Sequence, residues 1–344
     1  MRAAVARGGT VELTEALLGE PRGDEVLVRM VAAGVCHTDL VAGSRPGPLV
    51  LGHEGAGVVE AVGSAVGSVQ PGDHVVLSFA WCGECGNCAE GRMAYCADFL
   101  ALNYSGFRVD GSSAVSVAGE PVGGHFFGQS SWATHSVTSE RNVVRVPPNL
   151  PLEHLAPLGC GVQTGAGVVL NVLGGGRSIA VFGCGGVGLS AVMAARIAGY
   201  ERIVAVDPLP GRRAIALDVG ATEAVPDGSL LRGLAHSVDC VGLPEVVRDA
   251  VACLAAPGTC VTVGFRGGSN PVELDQRLLM GGRGIRGSIE GDAIPQRFIP
   301  ELVGHFAAGR LPVDRLVRTY AFAQVNAAIA AMEEGQVVKP VLIF

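Results

Sequence analysis

Four cysteines that lie close together in the sequence have the spacing of a metal site. Cys82, Cys85, Cys88 and Cys96 follow the pattern C-x2-C-x2-C-x7-C within one short segment. Four thiolates at this spacing can surround one Zn²⁺ tetrahedrally, and they leave no coordination position for a substrate. The alternatives are two local disulfides or four unrelated thiols. The pattern predicts a structural zinc in a loop of about residues 82–96, which has little apolar core of its own.

A glycine-rich loop predicts a dinucleotide site. Residues 183–188 read Gly-Cys-Gly-Gly-Val-Gly and fit G-x-G-x-x-G. An apolar strand pattern at 179–182 precedes the loop and a helical pattern at 187–198 follows it, and this context makes the motif specific. Such glycines let the backbone approach a pyrophosphate at the N-terminus of the helix. The glycines expected at the cofactor are Gly183, Gly185, Gly186 and Gly188.

An acidic residue after the next strand bears on the choice of cofactor. The strand pattern at 203–206 ends in Asp207, close to the roughly 20-residue offset expected after such a loop. A carboxylate there accepts hydrogen bonds from the ribose hydroxyls and repels a 2′-phosphate, which favours NAD over NADP. Arg212 and Arg213 follow and leave NADP open. The alternative for Asp207 is an ordinary turn residue at the end of a strand.

Six cysteines lie outside the four-cysteine loop. Four of these, in the glycine loop or in apolar patterns, are interpreted as small buried thiols: Cys184, Cys240, Cys253 and Cys260. Cys36 lies in a polar segment after a strand pattern, Cys160 lies among glycines, and a Gly-His-Glu-Gly segment with His53 lies between them. Spacing alone cannot join three residues so far apart. The residues by themselves therefore give only a modest case for a second metal site.

The patterns along the chain predict two kinds of structure. Residues 26–31, 57–62 and 74–77 are short strand patterns, rich in β-branched residues and separated by glycine turns. From about residue 178 onward, apolar runs alternate with helical stretches, which is typical of βαβ units and a parallel sheet. A chain of 344 residues is long enough for two domains.

Charge and hydropathy exclude several classes of partner. The formal net charge is −7, and the absence of a basic run argues against nucleic acid and anionic membranes. The N-terminal segment lacks the apolar region of a signal peptide, and no apolar stretch reaches the roughly 18 residues of a membrane span. We therefore expect a soluble, cytoplasmic protein.

These features together resemble the zinc-containing medium-chain alcohol dehydrogenases over essentially the whole chain. The resemblance rests on the cysteine loop, the glycine loop and the segments around Cys36, His53 and Cys160. Four further segments are similar to the aryl-alcohol (benzyl-alcohol) dehydrogenase branch of this family: residues 126–131, 158–171, 287–292 and 338–342. The resemblance implies an α/β protein with a GroES-like β-barrel catalytic domain and a Rossmann domain with a doubly wound parallel sheet. The implied domains are residues 1–161 with 290–344, and residues 162–289.

The resemblance also assigns roles around a catalytic zinc. Cys36, His53 and Cys160 would be its ligands, and a Cys2His set leaves the fourth position open for water or substrate. Glu54 would lie behind the metal, and Asp39 would orient His53. The site would transfer hydride between an alcohol carbon and the nicotinamide, with the Thr38 hydroxyl as the first proton acceptor.

Further roles implied by the resemblance concern the cofactor. Val187 would pack behind the nicotinamide and Thr164 would line its pocket. His37 and Lys339 would face the pyrophosphate. Arg212 is also expected to bind the cofactor. Val41 stands where many relatives carry a histidine that ends a proton relay. The proton is then expected to leave through the cofactor ribose and water, or through His37.

The expected function is that of an NAD-dependent enzyme with two zinc ions per subunit, acting on a primary alcohol or aldehyde of aromatic or allylic type. Alternatives with the same fold act on thiol–formaldehyde adducts or terpenoid alcohols. A protein of a different class, a redox-inactive zinc- and nucleotide-binding scaffold, is a further alternative. The resemblance implies a homodimer or homotetramer.

Four aromatic residues have two interpretations. They either line an apolar substrate pocket or belong to the core: Phe79, Trp81, Phe127 and Trp132.

Overall fold

The computed structural model describes residues 1–264 and 266–344, which divide into two compact units. Unit 1 comprises Met1–Cys160, Ile294–Ala307 and Leu316–Phe344, and unit 2 comprises Gly161–Ala293 and Ala308–Arg315. The prediction left residues 161, 290–293 and 308–315 in the catalytic domain, whereas the structure groups them with unit 2.

Strands and helices are numbered here along the chain. The strands are β1 (Arg2–Arg7), β2 (Thr10–Glu15), β3 (Leu17–Leu18), β4 (Glu25–Gly34), β5 (Leu49–Val50), β6 (Gly55–Val62), β7 (His74–Leu77), β8 (Val115–Val117), β9 (Glu120–Val122), β10 (His135–Ser139), β11 (Val143–Arg145), β12 (Ser178–Phe182), β13 (Arg202–Val206), β14 (Glu223–Val225), β15 (Leu234–Asp239), β16 (Leu254–Thr262), β17 (Arg283–Gly287), β18 (Val317–Ala321) and β19 (Lys339–Ile343). The helices are α1 (His37–Gly43), α2 (Gly86–Ala89), α3 (Phe99–Tyr104), α4 (Leu152–Leu155), α5 (Gly161–Gly167), α6 (Gly186–Ile197), α7 (Pro210–Asp218), α8 (Pro244–Ala252), α9 (Gln276–Met280), α10 (Pro295–Ala307) and α11 (Val325–Glu333).

Unit 1 is built on sheets whose strands pair antiparallel, except for β18 with β19, which are parallel. Its largest sheet has the order β11-β7-β6-β4-β19-β18, with β10 also pairing β4, and two smaller sheets have the orders β2-β1-β5 and β3-β8-β9. Side chains alternate across each strand, so every second residue of β4 contributes to one apolar core. That core is formed by Val26, Val28, Met30, Val59, Val69, Val75, Leu77 and Val143. The ends of these strands carry the polar side chains described below.

Unit 2 is a six-stranded parallel sheet in the order β14-β13-β12-β15-β16-β17. Numbered from the first strand of the unit, this order is 3-2-1-4-5-6, the doubly wound order of dinucleotide-binding domains. Ile179–Phe182 of β12 is buried, as expected for a strand covered on both faces. The order reverses at β12, and ligands of such sheets bind beyond the carboxyl end of the strand at that point. The predicted fold class is confirmed.

A helix that spans a bilayer needs about 18 or more predominantly apolar residues. Among the described residues, no single helix is long and apolar enough to cross a membrane. One pair of helical segments joined at a bend, Leu152–Gly159 and Gly161–Leu173, is together long and apolar enough to cross a membrane, by length and composition alone.

Candidate active site

The four cysteines of the predicted loop converge in unit 1. Their sulfur atoms lie within 4.8 Å of one another, and all four thiols are free. Backbone N–H groups point at the sulfurs: Cys82 N lies 3.3 Å from Cys96 Sγ, and Ala97 N lies 3.4 Å from Cys85 Sγ. The bond from Ala97 lowers the pKa of Cys85 to about 6. Four thiols with this arrangement fit a tetrahedral zinc ion that has no open position.

The second predicted set also converges, from three separate segments of unit 1. Cys36 caps the N-terminus of α1 directly after β4, His53 and Glu54 lie between β5 and β6, and Cys160 follows the turn Ala156–Gly159. One ligand atom from each of the four residues lies within 4.8 Å of the others. A hydrogen bond with Cys160 holds the pKa of the Cys36 thiol well below its usual range.

His53 is oriented from one side and unpartnered on the other. Its Nδ1 lies 2.8 Å from Asp39 Oδ1, and both side chains are fully buried. Asp39 also accepts hydrogen bonds from the backbone N–H groups of Cys36 (2.9 Å) and Gly52 (3.1 Å). His53 Nε2 is buried without a hydrogen-bond partner in the described chain. Two thiols and an imidazole nitrogen whose opposite nitrogen bonds a carboxylate are the donor set of a catalytic zinc site.

Glu54 forms a buried ion pair with Lys339. Lys339 Nζ donates to both carboxylate oxygens of Glu54 at 2.9 Å and to the carbonyl of Val35 at 3.3 Å. Gly34 makes this possible, since a Cβ there would lie 1.9 Å from Glu54 Oε2. Burial raises the pKa of Glu54 to about 7, against the opposing effect of Lys339. The structure thus places Lys339 on Glu54, and its expected role at a pyrophosphate stays a prediction.

An aromatic surface covers His53. The Phe127 ring lies 4.6 Å from the imidazole and the Phe126 ring lies 5.5 Å from it, measured between centroids. Tyr104 lies 5.2 Å from Phe127 and extends this surface. Phe127 adopts φ 50°, a left-handed conformation that is costly for an aromatic residue and is held by the surrounding turn. Phe127 was predicted from the sequence as a candidate pocket residue. Phe126 and Tyr104 were not, because nothing in their local sequence indicates that they lie near His53.

The other three aromatic candidates lie elsewhere in unit 1. Trp132 is fully buried and donates from Nε1 to the carbonyl of Gly34 at 3.0 Å, and Phe79 is buried against Phe99. The Trp81 ring lies 5.8 Å from the Arg141 guanidinium, beside the four-cysteine loop. Trp132 and Phe79 are therefore core residues. Of the four candidates, Phe127 is the one that contacts the ligand set.

The glycine loop of unit 2 has the geometry of a dinucleotide cradle. Gly183 adopts φ +89° after β12, and a Cβ on Gly188 would lie 1.8 Å from the carbonyl oxygen of Gly183. The loop leads into α6, whose N-cap is Gly185 and whose first residues include Gly186 and Val187. This N-terminus offers backbone N–H groups and a positive dipole end to an anion.

Asp207 follows β13 and is bonded to this loop. Its carboxylate accepts from the backbone N–H of Cys184 (2.8 Å) and of Leu209 (2.9 Å). Arg213 donates to the Asp207 carbonyl, and the buried Nε of Arg212 has no hydrogen-bond partner in the described residues. The predicted acidic and basic residues therefore meet at the glycine loop.

The remaining candidates occupy separate positions. His37 is exposed and Thr38 half-buried in the first turn of α1. In unit 2, Thr164 Oγ1 lies 3.5 Å from the buried Glu290, which also accepts from Gln163 Nε2 at 2.9 Å. Glu290 was not predicted as a site residue, because a single acidic residue in a glycine-containing segment carries no signal.

Unit 1 also contains a cavity of about 970 Å³ that is distinct from the His53 set. It lies beside the four-cysteine loop and is lined by Trp81, Cys82, Arg108, His125 and Arg141, among others. Arg108 forms a two-point ion pair with Glu25 in its wall, at 2.6 and 2.7 Å.

The fold and donor sets define a zinc-binding dehydrogenase. Residues 22–148 match the alcohol dehydrogenase GroES-like domain, and residues 186–307 match the zinc-binding dehydrogenase domain. The chain is 48% identical to a geraniol dehydrogenase from Castellaniella defragrans, with 100% of this chain and 97% of the relative covered. It belongs to the zinc-dependent medium-chain alcohol dehydrogenase family, which confirms the predicted family and enzyme class.

Two solved structures show the same architecture. The benzyl alcohol dehydrogenase from Acinetobacter calcoaceticus is 39% identical, with a TM-score of 0.95 and coverage of 100% of this chain and 99% of that chain. A zinc-binding dehydrogenase from Sinorhizobium meliloti 1021, solved bound to NADP, is 25% identical, with a TM-score of 0.81 and the same coverage.

Proposed function

We propose that this chain holds a catalytic zinc at Cys36, His53 and Cys160 and a structural zinc at its four-cysteine loop. With these it interconverts primary aromatic or allylic alcohols and their aldehydes, using NAD(H). The observation that carries the proposal is His53: its buried Nε2 has no hydrogen-bond partner among the described residues, while Asp39 holds Nδ1. A ligand atom of the imidazole lies within 4.8 Å of the Cys36 and Cys160 sulfurs. A buried polar atom left without a partner is costly unless a ligand satisfies it.

The surrounding residues divide the work of the reaction. A zinc ion at this set supplies Lewis acidity that lowers the pKa of an alcohol hydroxyl. Asp39 fixes the imidazole so that Nε2 is the ligating atom. Thr38, two residues after Cys36, takes the hydroxyl proton and passes it toward the cofactor ribose and water, or toward His37. Phe126 and Phe127 exclude water beside His53. Both are buried in the same core cluster as Phe79 and Trp132, and we propose that Phe127, which packs closest to the imidazole, lies at the margin of the substrate site.

The cofactor proposal rests on Asp207. The two backbone N–H groups that bond its carboxylate leave lone pairs for the ribose hydroxyls, since a carboxylate accepts about four hydrogen bonds. A 2′-phosphate would be repelled there, so we favour NAD. Arg212 is proposed to reach the adenosine end. The roles of Val187 and Thr164 at the nicotinamide, and of His37 and Lys339 at the pyrophosphate, are proposed from the family resemblance.

The substrate proposal combines the aromatic wall with the relatives. A geraniol and a benzyl alcohol dehydrogenase share the fold, and their named substrates are an allylic and an aromatic primary alcohol. Flat, unsaturated groups pack well against an aromatic side chain, and Phe127 is the ring that we propose to meet the substrate. A terpenoid alcohol such as geraniol is therefore the second candidate beside benzyl alcohol.

A homodimer or homotetramer in the cytoplasm is also proposed. β17 is an edge of the parallel sheet, and Met280 of the neighbouring α9 is 78% exposed. An open edge flanked by exposed apolar side chains favours pairing with a second copy.

Initial rates test this function. We expect kcat/KM to be highest for benzyl alcohol or geraniol with NAD, at least about tenfold lower with NADP, and lowest for a thiol–formaldehyde adduct. A Phe127→Ala variant should raise KM for both alcohols, with Phe79→Leu as the control from the core. Stoichiometric zinc and NADH binding without turnover of any alcohol or aldehyde would favour the redox-inactive scaffold instead.

A further inference from the structure

Gln129 is a fully buried amide placed behind the zinc-ligand set rather than in it. Its Oε1 accepts from the backbone N–H of Gly55 at 3.0 Å, and its Nε2 donates to the carbonyl of His53 at 3.0 Å. These two groups flank Glu54, so the side chain binds this segment as a neighbouring strand would bind it. β6 begins at Gly55, and Gln129 extends its ladder across the His53 peptide.

The same amide connects His53 with the second ligand segment. Gln129 Nε2 also lies 3.3 Å from the carbonyl oxygen of Ser78, the residue after β7. The Ser78 hydroxyl donates to the carbonyl of Gly159 at 2.8 Å, and Gly159 directly precedes Cys160. A chain of two buried side chains therefore runs from the backbone of His53 to the backbone of Cys160. Such buried networks hold their members rigidly when every polar group is satisfied.

The backbone of Gln129 serves the aromatic wall. Its N–H donates to the carbonyl of Phe126 at 3.0 Å and closes the turn that carries Phe126 and Phe127. Ser130 Oγ accepts from the N–H of Phe126 at 2.9 Å and reinforces the turn. One residue therefore fixes the position of His53 and the position of the rings that cover it.

We propose that Gln129 is a positioning residue for the His53 site, which it maintains by fixing the separation of His53 and Cys160 through Ser78. Its amide bonds backbone groups and is not part of the donor set. Metal ligands are held by surrounding hydrogen bonds, and removal of such a support typically costs about 10–100-fold in metal affinity. The proposal rests on the function proposed above, because it requires a zinc at this set.

Asn103 supplies a matched control. It is also a fully buried amide with three bonds to the backbone: Oδ1 accepts from Ala80 N at 2.8 Å, and Nδ2 donates to Ala80 O and Phe99 O at 2.9 and 2.8 Å. Ala80 precedes Cys82 by two residues and Phe99 follows Cys96 by three. Asn103 therefore ties the two ends of the four-cysteine loop, as Gln129 ties the His53 segment.

The experiment measures zinc release from the holoenzyme into a chromogenic chelator. Cys36→Ser and Cys85→Ser variants, each lacking one site, assign the two release phases. We expect Gln129→Met to accelerate release from the His53 site about 10–100-fold and to leave the four-cysteine phase unchanged. Ser78→Ala, which removes one link and little volume, should accelerate the same phase by a smaller factor. Asn103→Leu should accelerate the other phase alone.

A spectroscopic readout separates positioning from general loosening of the fold. With Co²⁺ at the His53 site, Gln129→Met should shift the visible bands that report coordination geometry, and Asn103→Leu should leave them in place. Wild-type release rates in both Gln129→Met and Ser78→Ala would overturn the inference, as would equal acceleration of both phases. If Gln129→Met does not fold, Ser78→Ala decides by the same criterion. A wild-type protein that binds zinc in the loop alone would overturn the proposed function, and the inference with it.

Discussion

The two cysteine clusters of unit 1 hold similar donor atoms by different means. The loop cluster gathers four sulfurs from 15 consecutive positions, and backbone N–H groups of the same segment point at those sulfurs. The His53 set gathers its atoms from three segments that lie far apart in the sequence. Its members are positioned by buried side chains: Asp39 on His53, Lys339 on Glu54, and Gln129 with Ser78 behind them.

This difference indicates what each cluster contributes. A metal at the four-thiol cluster would cross-link a segment with little core, so it would act on stability. The proposed ligand set of Cys36, His53 and Cys160 would keep a fourth position open for chemistry. Stability and catalysis should therefore separate when one cluster is removed at a time.

The largest expected effect is the loss of activity in Cys36→Ser. Removing this ligand should abolish the Lewis acidity available to an alcohol, which is worth several kcal/mol, or about 10³-fold or more in kcat/KM. Zinc content should fall from two to one per chain, while the thermal midpoint stays within a few degrees of wild type. Steady-state kinetics and metal analysis provide the measurement. Activity retained above about a tenth of wild type would contradict the catalytic assignment.

The same contrast explains what the sequence could predict. Cys82, Cys85, Cys88 and Cys96 were assigned from spacing, because their ligand geometry is local. The glycine loop was assigned from its strand and helix, which the structure places at β12 and α6. Cys36, His53 and Cys160 were joined by family resemblance, since only tertiary structure brings them within 4.8 Å.

The supporting residues were harder to predict than the ligands. Gln129, Tyr104 and Glu290 act through long-range contacts, and their residue types are common in ordinary loops. Lys339 was expected at a pyrophosphate, but the structure pairs it with Glu54 across 285 positions of sequence. Local patterns do not encode a buried ion pair at that separation, because its energy depends on what surrounds both partners.

The next largest effect is the loss of stability in Cys85→Ser. Without this thiol the loop should release its zinc, and the free energy of unfolding should fall by about 3 kcal/mol or more. For units of this size, that loss lowers the thermal midpoint by roughly 6–12 °C. The fraction that stays folded at 20–25 °C should keep kcat near the wild-type value, measured against active sites titrated with cofactor. A proportional fall of kcat in the folded fraction would show that the two clusters are not separable.

The smallest effect concerns His125, which lines the cavity beside the cysteine loop and precedes the turn that carries Phe126. Burial, with the nearby Arg108 charge, lowers the pKa of His125 to about 4, and its Nε2 accepts from Ala114 N at 3.3 Å. Glu25, Arg22 and Asp110 are the other charged groups that act on it.

The pKa of a histidine in the unfolded chain is about 6.5. As the pH falls from about 6.5 to 4, the unfolded chain therefore binds a proton at His125 that the folded chain does not bind. The contribution of His125 to the free energy of unfolding is fully present above pH 6.5 and declines below it, by about 2 kcal/mol at pH 5. A His125→Gln variant should lack that part of the acid sensitivity and keep its kcat at pH 7.5, because His125 contacts neither cluster's donor atoms. Urea unfolding of both proteins at pH 7.5 and pH 5 measures the difference. An equal fall in the free energy of unfolding of the two proteins between pH 7.5 and pH 5 would contradict this prediction. It would mean that the folded protein protonates His125 at no cost.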